Sequence, residues 1–177
     1  MNSKGMTLIE LIVVIVLLGI IGVFTFQFVG SSVETYIMVS NQAGLLAEAK
    51  PAMERMARDI RDAKIITWPA AGGSGNLITF ARTHATAYDS ADESITFQWT
   101  GTTLEKVKQS PSVTTSLMAE NVFAFIVRRA AAPDDEITLE LTLSLSGGEK
   151  VTLHTKVYPK NLPSPQFNGD WEEVAAQ

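Results

Sequence analysis

A glutamate stands inside a membrane-length apolar run: Lys4-Gly5-Met6-Thr7-Leu8-Ile9-Glu10 leads into a stretch that stays almost wholly apolar to Val29. An ionised side chain in hydrocarbon costs about 2.5 to 3.5 kcal/mol on the insertion scale, so its retention points to a task. Met6 to Val29 is 24 residues, which as a helix reaches about 36 Å and suffices for a bilayer core of about 30 Å. No Ala-x-Ala cleavage pattern follows, as it would after a secretory signal, so the apolar segment is expected to stay. The only basic side chain before the run is Lys4, and the next after it is Lys50. The positive-inside tendency then puts the N-terminus in the cytoplasm and the bulk of the chain across the membrane.

Gly5-Met6-Thr7-Leu8-Ile9-Glu10 resembles the leader junction of type IV pilins and type II secretion pseudopilins, with Met6 in place of the usual aromatic. The resemblance implies cleavage by a prepilin peptidase between Gly5 and Met6, N-methylation of Met6, and a Glu10 that pairs with the amine of a neighbouring subunit as helices assemble. It also implies other pilins or pseudopilins and an inner-membrane assembly platform as partners. A cut at Gly5 would leave a cation on Met6 one turn from Glu10. Charges about 4 Å apart attract by about 4 kcal/mol at an effective dielectric of 20, comparable to the insertion cost. The simpler account is that Glu10, about 6 Å along the helix from Met6, snorkels to the headgroups.

Beyond the membrane the helical period continues, with Leu46, Ala49, Met53, Met56, Ile60 and Ala63 forming one apolar stripe. The opposite side carries Glu48, Glu54, Arg55, Arg58, Asp59, Arg61 and Asp62, with Glu54–Arg58 and Arg58–Asp62 at i,i+4, and reads as a solvated face. A helix from Met6 to Ile66 would be roughly 90 Å long. Pro51 predicts a kink or break near Glu48 to Lys50. Gly19 and Gly22 mark the segment expected to melt if the helix loosens in a filament, although small residues equally permit close helix contacts. Arg55-Met56-Ala57-Arg58-Asp59-Ile60-Arg61-Asp62-Ala63 is similar to the helix end of J/W-type minor pilins, and the order of later segments resembles the O-type minor pilin of the MSHA pilus. Relatives of that type sit at or near the filament tip.

Trp68-Pro69 and the glycine-rich Ala70–Asn76 form a turn-rich linker. The period then becomes two: Ile95, Phe97 and Trp99 alternate with polar residues, as do Ile137, Leu139, Leu141, Leu143 and Leu145. At Ser146-Gly147-Gly148 a three-residue loop with Gly148 in the left-handed region pairs Leu143 with Val151 and Leu141 with Leu153, keeping both apolar rows inside. Val122 to Val127 is nearly continuously apolar and predicts a central strand covered on both faces. The expected fold class is therefore α+β, a pilin-like long N-terminal helix packed on an antiparallel β-sheet head. Its divisions are a leader at 1–5, a transmembrane and assembly helix at 6–29, an amphipathic helix at 30–66, a β-rich head at 67–163 and a tail at 164–177, in which Trp171 could anchor on a partner, although a frayed terminus is the more common outcome.

The chain has no cysteine and a net charge of −5, one unit more negative once Lys4 leaves with the leader. No basic stripe stands out, which argues against nucleic acid as a partner. His84 and His154 have no second ligand at metal spacing, and no Gly-x-Ser-x-Gly elbow or carboxylate framework occurs, so no catalytic residue and no enzyme activity are expected. Two acidic runs, Asp89, Asp92, Glu93 and Asp134, Asp135, Glu136, could supply oxygens to calcium. They lack EF-hand spacing, and solvated loops are the expected reading. The function expected is a minor pilin or pseudopilin of the bacterial inner membrane, head periplasmic, that passes to a filament or the cell surface. A J-type type II secretion pseudopilin is the alternative within the class. A signal-anchored periplasmic binding or adhesive module is the alternative outside it.

Overall fold

The computed structural model describes residues 7–109, 112–132 and 134–162. Gly5 and Met6, the tail at 164–177 and Trp171 lie outside the described residues. One helix, α1, runs Leu8–Arg61, and two compact units divide the chain, residues 1–41 and residues 42–177.

Over its first part, to Val29, the helix is apolar nearly all round, and large side chains such as Phe24, Phe26 and Phe28 are exposed. A helix of that kind is stable only where lipid or other helices cover it. The helix is long and apolar enough to cross a membrane.

In the second unit α1 presents Leu45, Ala49, Ala52, Met53, Met56 and Ile60 to the core. Leu45 rather than Leu46 leads this stripe, and Leu46 is exposed. Two adjacent leucines satisfy the period equally, and the one facing the sheets is fixed by packing. Pro51 does not break the helix. The carbonyl that it deprives of a donor belongs to Ala47, and both residues are exposed, so water can take its place. The helix ends at Arg61 rather than Ile66, because Lys64-Ile65-Ile66-Thr67-Trp68 is β-branched and aromatic and pairs as a strand. The Arg61 carbonyl left over accepts the Lys160 N–H at 3.0 Å.

Among the described residues nine strands follow: β1 Ala63–Trp68, β2 Ser74–Gly75, β3 Leu77–Arg82, β4 Ser94–Trp99, β5 Leu104–Lys108, β6 Thr114–Ala119, β7 Val122–Arg129, β8 Ile137–Ser144 and β9 Lys150–Val157. They form two antiparallel sheets, ordered β1-β3-β4-β5-β6 and β2-β7-β8-β9. The architecture is α+β and pilin-like: one long amino-terminal helix with antiparallel sheets. The inner rows of both sheets, among them Phe80, Phe97, Phe125 and Leu141, join the α1 stripe in one core cluster. Each fully buried side chain of this size contributes about 1.5 to 3 kcal/mol. The Phe80 and Phe97 rings lie tilted 5.6 Å apart on neighbouring strands, a geometry that adds about 0.5 to 1.5 kcal/mol. The Trp99 indole N–H donates to the Val122 carbonyl at 3.2 Å, tying β4 to β7.

The β8–β9 register is Leu143 with Val151 and Leu141 with Leu153, and Gly148 has φ +93°. Leu145 N–H donates to the Glu149 carbonyl and Gly148 N–H to the Leu145 carbonyl, both at 3.0 Å, which closes a three-residue loop. The linker supplies β2, and Gly75 there has no room for a side chain: a Cβ would lie 2.9 Å from the Trp68 indole nitrogen. On β7 the expectation of two covered faces fails. Val122, Phe125 and Val127 point inward while Phe123 is 53% exposed, because among the described residues no layer lies on the outer side at that position and a continuous apolar run does not reveal its covering.

Candidate functional site

The amino-terminal site begins with Thr7. Its carbonyl accepts the Leu11 N–H at 3.2 Å and its hydroxyl accepts the Glu10 N–H at 3.4 Å. Thr7 is thus the N-cap and Glu10 the third helical residue, the Thr-x-x-Glu spacing of a capping box. The backbone of Glu10 is used in starting the helix. Its carboxylate has no hydrogen bond or ion pair among the described residues. A negative charge in a first turn is favoured by the helix dipole, worth about 0.3 to 1 kcal/mol.

Gly19 and Gly22 are helical, and a Cβ at either would meet nothing within 4 Å. The polar residues farther along the helix close on themselves. Thr25 donates to the Ile21 carbonyl at 2.8 Å, Ser31 and Ser32 to the Phe28 carbonyl at 3.1 and 2.8 Å, and Thr35 to the Ser31 carbonyl at 2.9 Å. These bonds give the hydroxyls an acceptor within the helix itself.

The second unit holds a cluster that the amphipathic pattern misplaces. Asp59, assigned to the solvated face, is buried, as are Arg82, Asp89, Glu93 and Lys106. The Lys106 ammonium donates to Asp59 Oδ2 at 3.0 Å and to Asp89 Oδ2 at 2.7 Å. The Arg82 guanidinium donates to Asp59 Oδ1 and Asp89 Oδ2, both at 2.9 Å. Lys108 lies 3.1 Å from Asp89 Oδ1 and 3.7 Å from Glu93 Oε2. Arg82 also lies 3.5 Å from Asp62 Oδ2, so three cations meet four carboxylates, the last of them shared with His84. Burial pushes the Asp89 carboxyl up, but hydrogen bonds and charge from Lys106 and Lys108 outweigh that and leave it below the usual carboxylate range.

These contacts bear on the acidic runs considered for calcium. The oxygens of Asp89 and Glu93 face lysine and arginine, and Asp92 bonds Lys64. In the second run Asp135 pairs with Arg129 at 3.2 Å, and Glu136 takes Lys156 at 3.0 Å and the Tyr158 hydroxyl. Among the described residues no three His, Cys, Asp or Glu side chains are grouped as a metal site.

The expected Glu54–Arg58 and Arg58–Asp62 pairs are not formed. Glu54 faces Lys50 at 4.0 Å. Asp62, just past the helix end, accepts the His84 ring Nδ1 at 2.6 Å, the His84 N–H at 3.0 Å and the Asn161 amide at 3.1 Å. Burial raises the Asp62 carboxyl, and the His84 bonds and charge together with Arg82 lower it by more. The other histidine, His154, is exposed on β9, 3.8 Å from Glu140.

Arg55 and Arg58 line a cavity of about 620 Å³ with Tyr88, Asp59 and Arg82, and Arg58 also lines a second cavity of about 260 Å³ with Arg61 and Lys160. Arg55, Arg58, Arg61 and Lys160 are exposed and their side chains have no ion-pair partner among the described residues. The structure thus shows a local basic stripe that the overall acidity conceals.

Residues 1–26 match the family described as the prokaryotic N-terminal methylation motif. No curated protein matches this chain. The motif is that of type IV pilin-like proteins, and its span takes in Gly5, Met6, Thr7 and Glu10 as well as Gly19 and Gly22.

Proposed function

We propose that this chain is a minor pilin or pseudopilin, a structural, non-enzymatic subunit that takes part in starting or extending a filament near its tip. The observation that carries the reading is the exposed apolar helix of the methylation motif, with a single carboxylate in its first turn that nothing among the described residues pairs. The prepilin peptidase would cut between Gly5 and Met6 and the amine of Met6 would be methylated. Glu10 would then meet the amine of a neighbouring subunit, and the helix would anchor the protein in the inner membrane until assembly draws it out. The head faces the periplasm in this reading.

The capping geometry allows a test that separates charge from helix start. Glu10→Gln removes the charge and keeps the N–H that bonds Thr7. Thr7→Ala removes the cap and keeps the charge. Filament incorporation is expected to be lost in Glu10→Gln and retained in Thr7→Ala, with both chains processed. Purification from native membrane with determination of the first residue and its mass should find N-methyl-Met6. An intact Met1 on membrane-resident protein would sink the reading in favour of a signal-anchored module.

A further inference from the structure

The basic stripe in the second unit calls for an anion. Arg55, Arg58 and Arg61 recur every three residues on one side of α1, and Lys160 joins them at the second cavity. All four are unpaired among the described residues, in a chain whose net charge is −5. The ionic groups nearest them already have partners: Asp59 and Asp89 face Arg82 and Lys106, Asp62 faces His84 and Arg82, and Glu54 faces Lys50 at 4.0 Å. An added carboxylate would therefore meet two or more unpaired guanidiniums, which bind it in charge-assisted and bidentate fashion. The larger cavity, about 620 Å³, is the size of a site for a small ligand or a bulky side chain, and Pro51 and the 83% exposed Tyr88 give it an apolar and aromatic wall.

We propose that the acidic segment Asp170-Trp171-Glu172-Glu173 of this same chain occupies the groove, its carboxylates on Arg55, Arg58 and Arg61 and the Trp171 ring against Tyr88 and Pro51. The charge signs are complementary and the aromatic residue sits among the acids. The described chain ends beside the groove: Lys160 N–H bonds the Arg61 carbonyl at 3.0 Å and Asn161 bonds Asp62 at 3.1 Å. From Leu162 to Asp170 is eight residues, up to about 26 to 29 Å of reach, whereas Arg61 to Arg55 spans about 9 Å along the helix. Tethering at this distance raises the local concentration of the acidic segment to the millimolar range, so even weak ion pairs hold it. The inference does not depend on the pilin reading. Docked in this way, the segment covers the one basic surface of the helix and would have to be displaced by any acidic partner.

The chain has no cysteine, so paired cysteines report proximity without background. In full-length protein in detergent micelles, Glu54→Cys with Val174→Cys is oxidised mildly, and Thr115→Cys with Val174→Cys serves as the control, since Thr115 lies on β6 at the far edge of its sheet from β1. An intramolecular disulfide at monomer mass is expected for the Glu54 pair, at least about fivefold above the control. Adding Arg55→Glu and Arg58→Glu, or raising salt to about 1 M where the screening length is about 3 Å, should bring the yield down to the control level. Disulfide-linked dimers would place the segment on another copy and overturn the proposal, as would equal yields in the two pairs or a yield indifferent to charge reversal. Tryptophan fluorescence of each variant checks that the head remains folded.

Discussion

Replacing Lys106 by methionine tests whether the buried charge cluster holds the head together. The side chain is 1% exposed and its ammonium lies 2.7 and 3.0 Å from carboxylates of Asp89 and Asp59. At an effective dielectric of 20 those contacts amount to about 6 and 5.5 kcal/mol of attraction. Repulsion from Arg82 and Lys108 and several kcal/mol of ammonium desolvation oppose them. Methionine keeps most of the volume, so packing changes little and the charge effect stands alone. What remains are buried carboxylates that have lost a cation, and breaking a buried pair in this way costs about 3 to 5 kcal/mol. In urea unfolding of the full-length chain in micelles, followed by tryptophan fluorescence, the midpoint should fall by about 2 M for a slope of about 2 kcal/mol/M. Adding Asp59→Asn removes a carboxylate that Lys106 had paired, so the double variant should be more stable than the two single losses predict, by about 1 to 3 kcal/mol. A loss below about 1 kcal/mol for Lys106→Met, or strict additivity in the double variant, would refute the reasoning.

Three further outcomes are expected. Leu45→Ala should cost about 2 to 5 kcal/mol and Leu46→Ala under about 0.5, in the same unfolding assay, because only the first leaves a cavity. Gly148→Ala, at φ +93°, should cost about 1 to 2 kcal/mol, whereas Gly44→Ala, in open helix with nothing within 4 Å of the new Cβ, should stabilise by up to about 1 kcal/mol. The Asp62 and Asp89 carboxyls are held below their ordinary value of 3.8 in the folded chain, so the unfolded chain binds more protons just below pH 4 and stability rises with pH through that window. Acid titration followed by circular dichroism should show the head losing stability below about pH 4, with a shallower decline in Asp89→Asn.

The parts of the fold that could be read from the sequence are those fixed by neighbours in the chain. The β8–β9 register follows from two apolar rows and one glycine able to take a positive φ, all within 14 residues. The capping spacing of Thr7 and Glu10 is equally local. The helix end was misjudged by five residues, since Arg-Asp-Ala-Lys continues a helical period until β1 pairing with β3 overrides it. Phe123 was misjudged because an apolar run says nothing about which side is covered. The amino-terminal motif was legible as a string. The basic stripe was not, because it exists only once Asp62 and Glu54 have turned to other partners.

Asp59 shows why the remainder lay out of reach. Its partners Arg82 and Lys106 stand 23 and 47 residues away, and each is itself polar in a strand whose alternation would permit burial only if an opposite charge were waiting. Burial of the three is conditional on all being present, so no one of them carries the signal alone. Once assembled, the cluster fixes what apolar contacts leave loose. Apolar packing selects Leu45 over Leu46, and the charge contacts constrain the same helix face further. A carboxylate that must reach both a guanidinium on β3 and an ammonium on β5 admits a single rotation of α1. The same rotation turns Arg55 and Arg58 outward, with no ion-pair partner among the described residues, so the buried cluster that orients the helix also creates the exposed basic stripe.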